Sequence, residues 1–168
     1  AVADMFQYRN NEIHVQNHSW GSSVIEQIEV PAIEANAISR AIQTGRGGRG
    51  VVMIRVAGNN REEEWSAADD GYSNDPRVVT IGAVGPAGRV AAFSNGGACV
   101  LCSGLIGNVA GKHPVYSTDR MGALGWNRSS SAEDPEVGSY HAISRGGNSF
   151  TAPQIAGVAA LILGANPD

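Results

Sequence analysis

Apolar and polar positions follow one another along this chain in two patterns, and each pattern predicts a different element. Short, near-continuous apolar runs such as VVMIRVAG and VVTIGAV are typical of strands that are buried on both faces of a parallel sheet. Segments in which Ile and Ala recur at three- and four-residue spacing are typical of helices that cover such a sheet. The two kinds of segment alternate, and this order predicts an α/β fold with a mostly parallel sheet.

Several segments are predicted as strands of this sheet. The longest are Glu12–Gly21, Val51–Gly58 and Val78–Val84, and shorter strands are predicted within AAFSNGGACVLCSG. A helix is predicted over Pro31–Gln43, because proline suits the first helical turn and the apolar residues after it have helical spacing.

The last apolar segment predicts a helix that begins at Ser149. Pro153 falls in its first turns, where backbone amides have no intrahelical acceptor. No charged residue occurs between Ile155 and Leu163. Since a helix that is apolar all round is usually covered on every side, we predict that it is buried in the core. The polar segments Asn59–Arg77 and Lys112–Tyr140 are predicted to be surface loops.

Composition and charge restrict the class of protein. The 168 residues are enough for one domain, and 42% hydrophobic with 17% charged residues excludes a disordered chain. No apolar run reaches the roughly 18 residues of a membrane span, so none is predicted. The first ten residues lack the pattern of a signal peptide. The net charge of −4 argues against nucleic acid as a partner.

Three features of the sequence have some resemblance to ligand or metal sites, and we interpret each of them as structural. GRGGRG (Gly45–Gly50) has the spacing of a dinucleotide-binding loop, but it follows a predicted helix and precedes a strand, which is the reverse of that site. We interpret it as a connecting turn with two solvated arginines. Cys99 and Cys102 form a lone CxxC and are interpreted as buried thiols. The histidines have no spacing that indicates a metal site: His14, His18, His113 and His141.

Ser149 combines several signals of a nucleophile. Gly146 and Gly147 precede it and allow the backbone to turn tightly beside an uncovered serine. The amino end of the helix that follows favours negative charge near its oxygen. The alternative is a plain helix N-cap, which needs neither the glycines nor so apolar a helix. Because Thr151 replaces the second glycine of GxSxG, the segment is not that nucleophile elbow.

Four segments occur in the order known from subtilisin-like serine peptidases, and each resembles one of that family's motifs. They are HSWGSS, VVMIRVAGNN, DDGYSNDPRVVTIGAV and GGNSFTAPQIAGVAALILGANP. The third is most similar to the kexin and furin branch. The chain is therefore identified as the C-terminal portion of one such catalytic domain (residues 1–168). The resemblance implies a three-layer α/β fold that is incomplete on its N-terminal side.

The resemblance implies two catalytic residues and a peptide-binding groove. Ser149 would attack the scissile carbonyl, and the Asn59 side chain would donate a hydrogen bond to the resulting oxyanion. Backbone from Ser19 to Gly21 would pair with an extended substrate. The implied substrate-binding residues are Ser19, Trp20, Gly21, Val56, Ala57, Gly58 and Asp70.

Asp70 carries a further implication for specificity. In the kexin and furin branch the matching aspartate meets a basic substrate side chain, and a carboxylate there would pair with arginine or lysine. This sequence departs from the branch at Val24, where a second acidic pocket residue is expected. Trp65 and Asn95 stand near the positions of calcium ligands, and Asn148 replaces threonine. The family allows a calcium ion, but these ligands are not matched, so no metal or other cofactor is predicted.

The rest of the catalytic triad is not found in the sequence. Family members have the order Asp, His, Ser, so both partners should precede Ser19. The acids and imidazoles in those eighteen residues lie in no matching motif: Asp4, Glu12, His14 and His18. We therefore expect the Asp and His upstream of Ala1. A serine without a base is a poor nucleophile, so the chain alone is expected to be inactive, with apolar faces and a sheet edge exposed.

The leading hypothesis is a serine endopeptidase that acts on polypeptides and is completed by the missing N-terminal portion of its catalytic domain. A secreted or extracellular location is implied by the family alone. The alternative is a pseudo-peptidase or peptide-binding interaction module without catalysis. A nucleotide-binding protein that uses Gly45–Gly50 is the weakest hypothesis.

Overall fold

The computed structural model describes residues 1–21, 27–107, 115–118, 140–143 and 147–167, with backbone alone for 140–143. The helices of this part are α1 (Val2–Gln7), α2 (Ala32–Gly48) and α3 (Ala152–Ala165). The strands are β1 (Val15–His18), β2 (Val52–Val56), β3 (Val79–Val84), β4 (Val100–Leu105), β5 (Val115–Thr118) and β6 (Tyr140–Ile143). The departure at Val24 and most of Lys112–Tyr140 lie outside the described residues.

Strands β1 to β4 form one sheet in the order β1-β2-β3-β4, and every pair is parallel. β5 and β6 form a separate antiparallel pair. The α/β prediction with a mostly parallel sheet is thus confirmed. The three longest predicted strands are present as β1, β2 and β3, each shorter than its apolar run.

Strand β2 separates the two halves of the core, because successive side chains of a strand point to opposite faces. Met53 packs with Phe6 of α1 and Ile38 of α2 on one face. Ile54 and Val56 pack on the other face, against the first turns of α3. Helices therefore cover both faces of the sheet, which gives three layers.

Helix α2 ends in the glycine-rich turn, which leads into β2 as a connecting segment. Gly50 has φ +84° there, and a β-carbon on it would lie 2.4 Å from the Ile42 carbonyl oxygen, so only glycine fits. The prediction of solvated arginines was wrong for Arg46. Its side chain is buried and donates to the carbonyls of Gly50 and Pro167, at 3.2 and 2.6 Å.

Helix α1 was not predicted. It has six residues and buries a single side chain, Phe6, so it has no apolar periodicity to recognise. Phe6 nevertheless anchors the helix, because its ring contacts His18 and Trp20 at the end of β1.

The prediction that the last helix is buried was wrong, and so was its start. The α-helix begins at Ala152, and Ala152 is its one fully buried residue. Ile155 and Ala156 pack partly against the sheet, whereas the opposite face is open, with Leu161 76% exposed. Apolar composition predicts that a face will be covered but does not say by which element. Among the described residues no element covers this face.

Helix α3 together with the short turn before it has the length and composition of a membrane span. The segment Asn148–Ala165 has a mean hydropathy of 1.2, and 17% of it is buried. A core helix that another element covers can have the same length and the same apolar composition. The expectation of no membrane span therefore stays a prediction.

The two cysteines lie at or beside β4, the edge strand of the described sheet. Cys99 is half-buried and Cys102 is exposed, so the prediction of buried thiols was wrong. Partial burial raises the pKa of both thiols, which keeps them protonated at neutral pH.

Candidate active site

The carboxyl ends of β1 and β2 bring the predicted catalytic residues together with the segment before α3. Ser19 follows β1, and Asn59 follows β2 by three residues. Ser149 lies in a short 3₁₀ turn, Asn148–Phe150, that precedes α3. Residues that are far apart in sequence therefore meet at the carboxyl ends of the sheet strands.

Ser149 is held against the backbone of Ser19 by two hydrogen bonds. Its Oγ donates to the Ser19 carbonyl oxygen at 3.3 Å, and the Ser19 Oγ donates to the Ser149 carbonyl oxygen at 3.0 Å. Ser149 does not cap a helix, because Thr151 is the N-cap of α3 and Gly147 is that of the 3₁₀ turn. The hydroxyl is thus available for another role.

Asn59 is fixed beside Ser149 through the residue that precedes the serine. Its Oδ1 accepts a hydrogen bond from the Asn148 backbone amide at 2.7 Å. Within the described residues, its Nδ2 donates to no acceptor. The amide nitrogen therefore keeps its N–H donors for a ligand while the side-chain oxygen is bound to the chain.

Gly147 allows the close approach of Asn59. Its backbone is extended (φ −126°, ψ −179°), which any residue can adopt, but a β-carbon on it would lie 2.8 Å from Asn59 Nδ2. The glycine is required here for space and not for backbone freedom. The tight turn predicted for the two glycines is therefore not found at Gly147, and Gly146 lies outside the described residues.

We expect Gly147→Ala to reduce peptidase activity without unfolding the protein. The added methyl group must displace Asn59 Nδ2, and a displacement of about 1 Å at such a group costs up to about 10²-fold in rate. Gly85→Ala is the matched control, since the nearest described atom to a β-carbon there is the Arg89 carbonyl oxygen, at 3.8 Å. Steady-state kinetics with thermal unfolding checks this. Full activity of Gly147→Ala would contradict the spatial role.

Asn148 has a structural role in the site, although the sequence indicated only that it replaces a threonine. It is completely buried, and its Nδ2 donates to the Gly58 carbonyl oxygen and, at 3.2 Å, to Ser94 Oγ. Ser94 Oγ in turn accepts from the Ala83 amide of β3 at 3.0 Å. Asn148 thus ties the serine turn to β2 and β3. The one sequence signal was its position directly before Ser149.

A pocket opens beside these residues and contains five of the predicted substrate-binding positions. These are Gly21, Val56, Ala57, Gly58 and Asp70. The other lining residues are Ile28, Asn60, Trp65, Ser66, Asp69 and Asn95. Gly58 has φ +97°, and a β-carbon on it would lie 2.5 Å from Asn95 Nδ2, so glycine is required there. Most of the wall is apolar, and the described lining residues include two carboxylates, those of Asp69 and Asp70.

Asp70 is already paired within the chain. Arg55 Nη2 and Nε donate to its Oδ2 at 2.6 and 3.2 Å, and the Tyr72 amide donates to its Oδ1 at 3.0 Å. Ser73 Oγ is 3.3 Å from Oδ2. Selectivity for a basic side chain stays a prediction from the resemblance, and this pairing argues against it.

Arg55 is the unexpected residue of the site, because it lies inside an apolar strand. Its side chain is 3% exposed. Its Cζ lies 4.1 Å from the centroid of the Trp20 ring and 4.8 Å from that of Tyr72, so two aromatic faces stabilise the cation. No pattern in the sequence indicated a role for this arginine.

His18 does not serve as a base for Ser149. Its Nδ1 accepts from Trp20 Nε1, and its Nε2 lies 3.3 Å from Gln16 Oε1, to which it donates in this tautomer. Burial, reinforced by the nearby Arg55 cation, lowers the pKa of His18 to about 4. The ring is therefore neutral at pH 7 and has a structural role.

His18 should make the stability of the protein depend on pH. Between pH 6.5 and about 4 the unfolded state binds a proton that the folded state does not, so stability falls as pH decreases through this range. The loss is up to about 3 kcal/mol. Urea unfolding at pH 7 and pH 4.5 measures it. His18→Gln should reduce the slope, whereas exposed His14→Gln should not; equal slopes in all three proteins would contradict the role of His18.

The positions near the family's calcium ligands do not fit a calcium ion. The Trp65 side chain offers no oxygen, and the Asn95 Oδ1 accepts from the Asn60 amide at 2.7 Å. In the part of the chain that is described, no group of three or more His, Cys, Asp or Glu residues could hold a metal.

The chain as a whole matches a known protein family. The model of the subtilase family of peptidases matches residues 1–168. The chain belongs to the subtilase family. Relatives of this subtilase chain include a calcium-dependent protease of Nostoc, 34% identical over 85% of the chain, and human furin, 28% identical over 93% of it. The resemblance to the kexin and furin branch is thus confirmed.

A solved structure shows the same fold. The serine protease of Aeromonas sobria superposes with a TM-score of 0.78 over 92% of this subtilase chain, at 20% identity. The chain spans 21% of the Nostoc relative, 18% of furin and 31% of the Aeromonas protein.

Proposed function

We propose that this subtilase chain carries the nucleophile, the oxyanion site and the specificity pocket of a serine endopeptidase. The observation that supports this best is the hydrogen bond from the Asn148 amide to Asn59 Oδ1, which fixes a side-chain donor beside Ser149. A neutral donor fixed in advance stabilises the tetrahedral oxyanion without any proton transfer.

The reaction follows from these groups. Ser149 Oγ attacks the scissile carbonyl carbon while a histidine takes its proton, and the carbonyl oxygen becomes an oxyanion next to Asn59 Nδ2. The intermediate collapses, the C–N bond breaks, and the histidine returns the proton to the leaving amine. Water then hydrolyses the acyl-enzyme by the same two steps.

The base and its carboxylate come, in this proposal, from a portion of the catalytic domain encoded upstream of Ala1. Within the described residues no imidazole is hydrogen-bonded to Ser149. The outer face of α3 is open, and so is the free edge of β1, with Met5 of α1 and the following Tyr8 exposed near it. Such surfaces need a covering element, and the missing portion would supply it. The chain alone is then inactive.

The substrate is a polypeptide bound in extended form. Trp20 and Gly21 follow β1 and are exposed, and an added strand would pair there. The side chain before the scissile bond would enter the pocket lined by Val56, Ala57 and Gly58. A secreted or extracellular location stays a prediction from the family.

The test is a burst experiment on the full-length protein with a nitrophenyl ester of a short acylated peptide. We expect rapid release of one equivalent of nitrophenol per active site, followed by slower turnover, because an acyl-enzyme accumulates. Absence of both burst and turnover, in a folded protein that has an upstream Asp and His, would contradict the proposal.

The second candidate is a peptide-binding module without catalysis, favoured by the absence of a base near Ser149 in the described residues. It predicts that peptides bind in the groove and are never cleaved. Binding measured by fluorescence anisotropy, together with the burst experiment, separates the two functions.

A further inference from the structure

The specificity pocket contains a carboxylate whose charge is compensated from inside the protein. Asp70 lines the pocket, and its side chain is 20% exposed. Arg55, 3% exposed, approaches the same carboxylate from within the sheet layer at 2.6 Å. A carboxylate that is paired this closely with a buried guanidinium offers little net attraction to a second cation.

The Arg55–Asp70 pair is held in place by contacts with neighbouring residues. Trp20 and Tyr72 lie against the guanidinium, and Ser73 Oγ accepts from Arg55 Nε at 3.2 Å. Ser73 Oγ also donates to the Val56 carbonyl oxygen at 3.1 Å. The same network therefore connects the ion pair to the strand end that forms the pocket wall.

The other acid among the described lining residues, Asp69, lies at the rim of the pocket. Asp69 is exposed, and its Oδ2 accepts from the Ser66 amide at 3.0 Å, where it caps the turn Ala67–Asp69. Its charge is hydrated and screened by solvent. The inner wall is formed largely by apolar groups, including Ile28 and Val56.

We propose that Arg55 determines the specificity of this groove by neutralising Asp70, so that the pocket takes an uncharged, mainly apolar side chain and not arginine or lysine. The inference rests on the proposed peptidase groove. A cation that entered the pocket would lose its hydration without gaining an unpaired carboxylate, which is unfavourable. Arg55 is thus a specificity-determining residue that does not itself line the pocket.

The test compares peptides that differ only in the residue before the scissile bond, Leu against Arg. The wild-type full-length protein should cleave the Leu peptide with the higher kcat/KM. Arg55→Gln frees the carboxylate, which the Tyr72 amide and Ser73 still hold in place, and should raise the Arg-to-Leu ratio of kcat/KM about 10–100-fold. Arg55→Lys keeps the charge and should keep the wild-type ratio.

Further variants identify the carboxylate. The gain should disappear in Arg55→Gln/Asp70→Asn and persist in Arg55→Gln/Asp69→Asn. Arg77→Gln is the matched control, because it breaks another part-buried pair, with Asp75, outside this pocket. It should leave the ratio unchanged. A wild-type preference for Arg, or a gain that depends on Asp69, would overturn the inference.

A binding measurement separates this inference from the proposed function. Peptides ending in Leu or Arg are titrated into the Ser149→Ala protein and into Arg55→Gln/Ser149→Ala, with anisotropy as the readout. Tighter binding of the Leu peptide, reversed by Arg55→Gln, supports the inference even if no cleavage occurs. Tighter binding of the Arg peptide to the Ser149→Ala protein overturns it, whatever the outcome of the burst experiment. Thermal unfolding confirms that each variant is folded.

Discussion

Asn59→Asp is expected to lower kcat at least about 10²–10³-fold, the loss typical of one oxyanion donor and a figure that comes from a subtilisin. The substitution distinguishes the role of the side-chain oxygen from that of the side-chain nitrogen. Asp keeps an oxygen that can accept from the Asn148 amide, as Oδ1 does now at 2.7 Å, but replaces the Nδ2 donor with a second acceptor. The site should therefore remain assembled while the oxyanion loses its donor and meets a negative charge.

Steady-state kinetics of the full-length protein tests this, with thermal unfolding to confirm the fold. KM should change little, because the donor acts on charge that develops in the transition state. Asn36→Asp on the exposed surface of α2 is the matched control for the added charge. If Asn59→Asp altered KM and left kcat unchanged, Asn59 would be a substrate-binding residue and not an oxyanion donor.

Ser149→Ala is expected to remove nearly all activity, about 10⁶-fold in kcat, a magnitude also known from a subtilisin. Without Oγ no acyl-enzyme forms, and only binding and the oxyanion site act on the substrate. The fold should survive, because the lost hydroxyl makes one neutral hydrogen bond, to the Ser19 carbonyl, worth about 1 kcal/mol.

The measurement is initial-rate hydrolysis by wild type and variant at equal concentration of folded protein. Ser117→Ala, at an exposed serine of β5, is the control and should retain full activity. Loss of less than tenfold in Ser149→Ala would show that another group attacks the substrate.

The strands and the candidate catalytic residues could be predicted because their signals are local. A run such as VVTIGAV is explained by burial on both faces of a sheet, and β3 forms there. Ser149 and Asn59 each follow a short recognisable segment. The order of strands then explains how residues 90 positions apart come to lie together.

The Arg55–Asp70 pair could not be predicted because its signals are non-local. An arginine inside an apolar run has no partner in its own neighbourhood of the sequence. Its carboxylate is 15 residues further on, and its two aromatic contacts come from the end of β1 and the loop before β3. The exposure of α3 could not be predicted for the same reason, since composition shows an apolar face but not the element that covers it.

Labelling with a fluorophosphonate tests whether Ser149 is the nucleophile of a serine peptidase. The full-length protein is treated with the reagent, digested and mapped by mass spectrometry. We expect one adduct, on Ser149, that is absent in Ser149→Ala and strongly reduced in Asn59→Asp. An adduct on another residue, or labelling that survives Ser149→Ala, would contradict it.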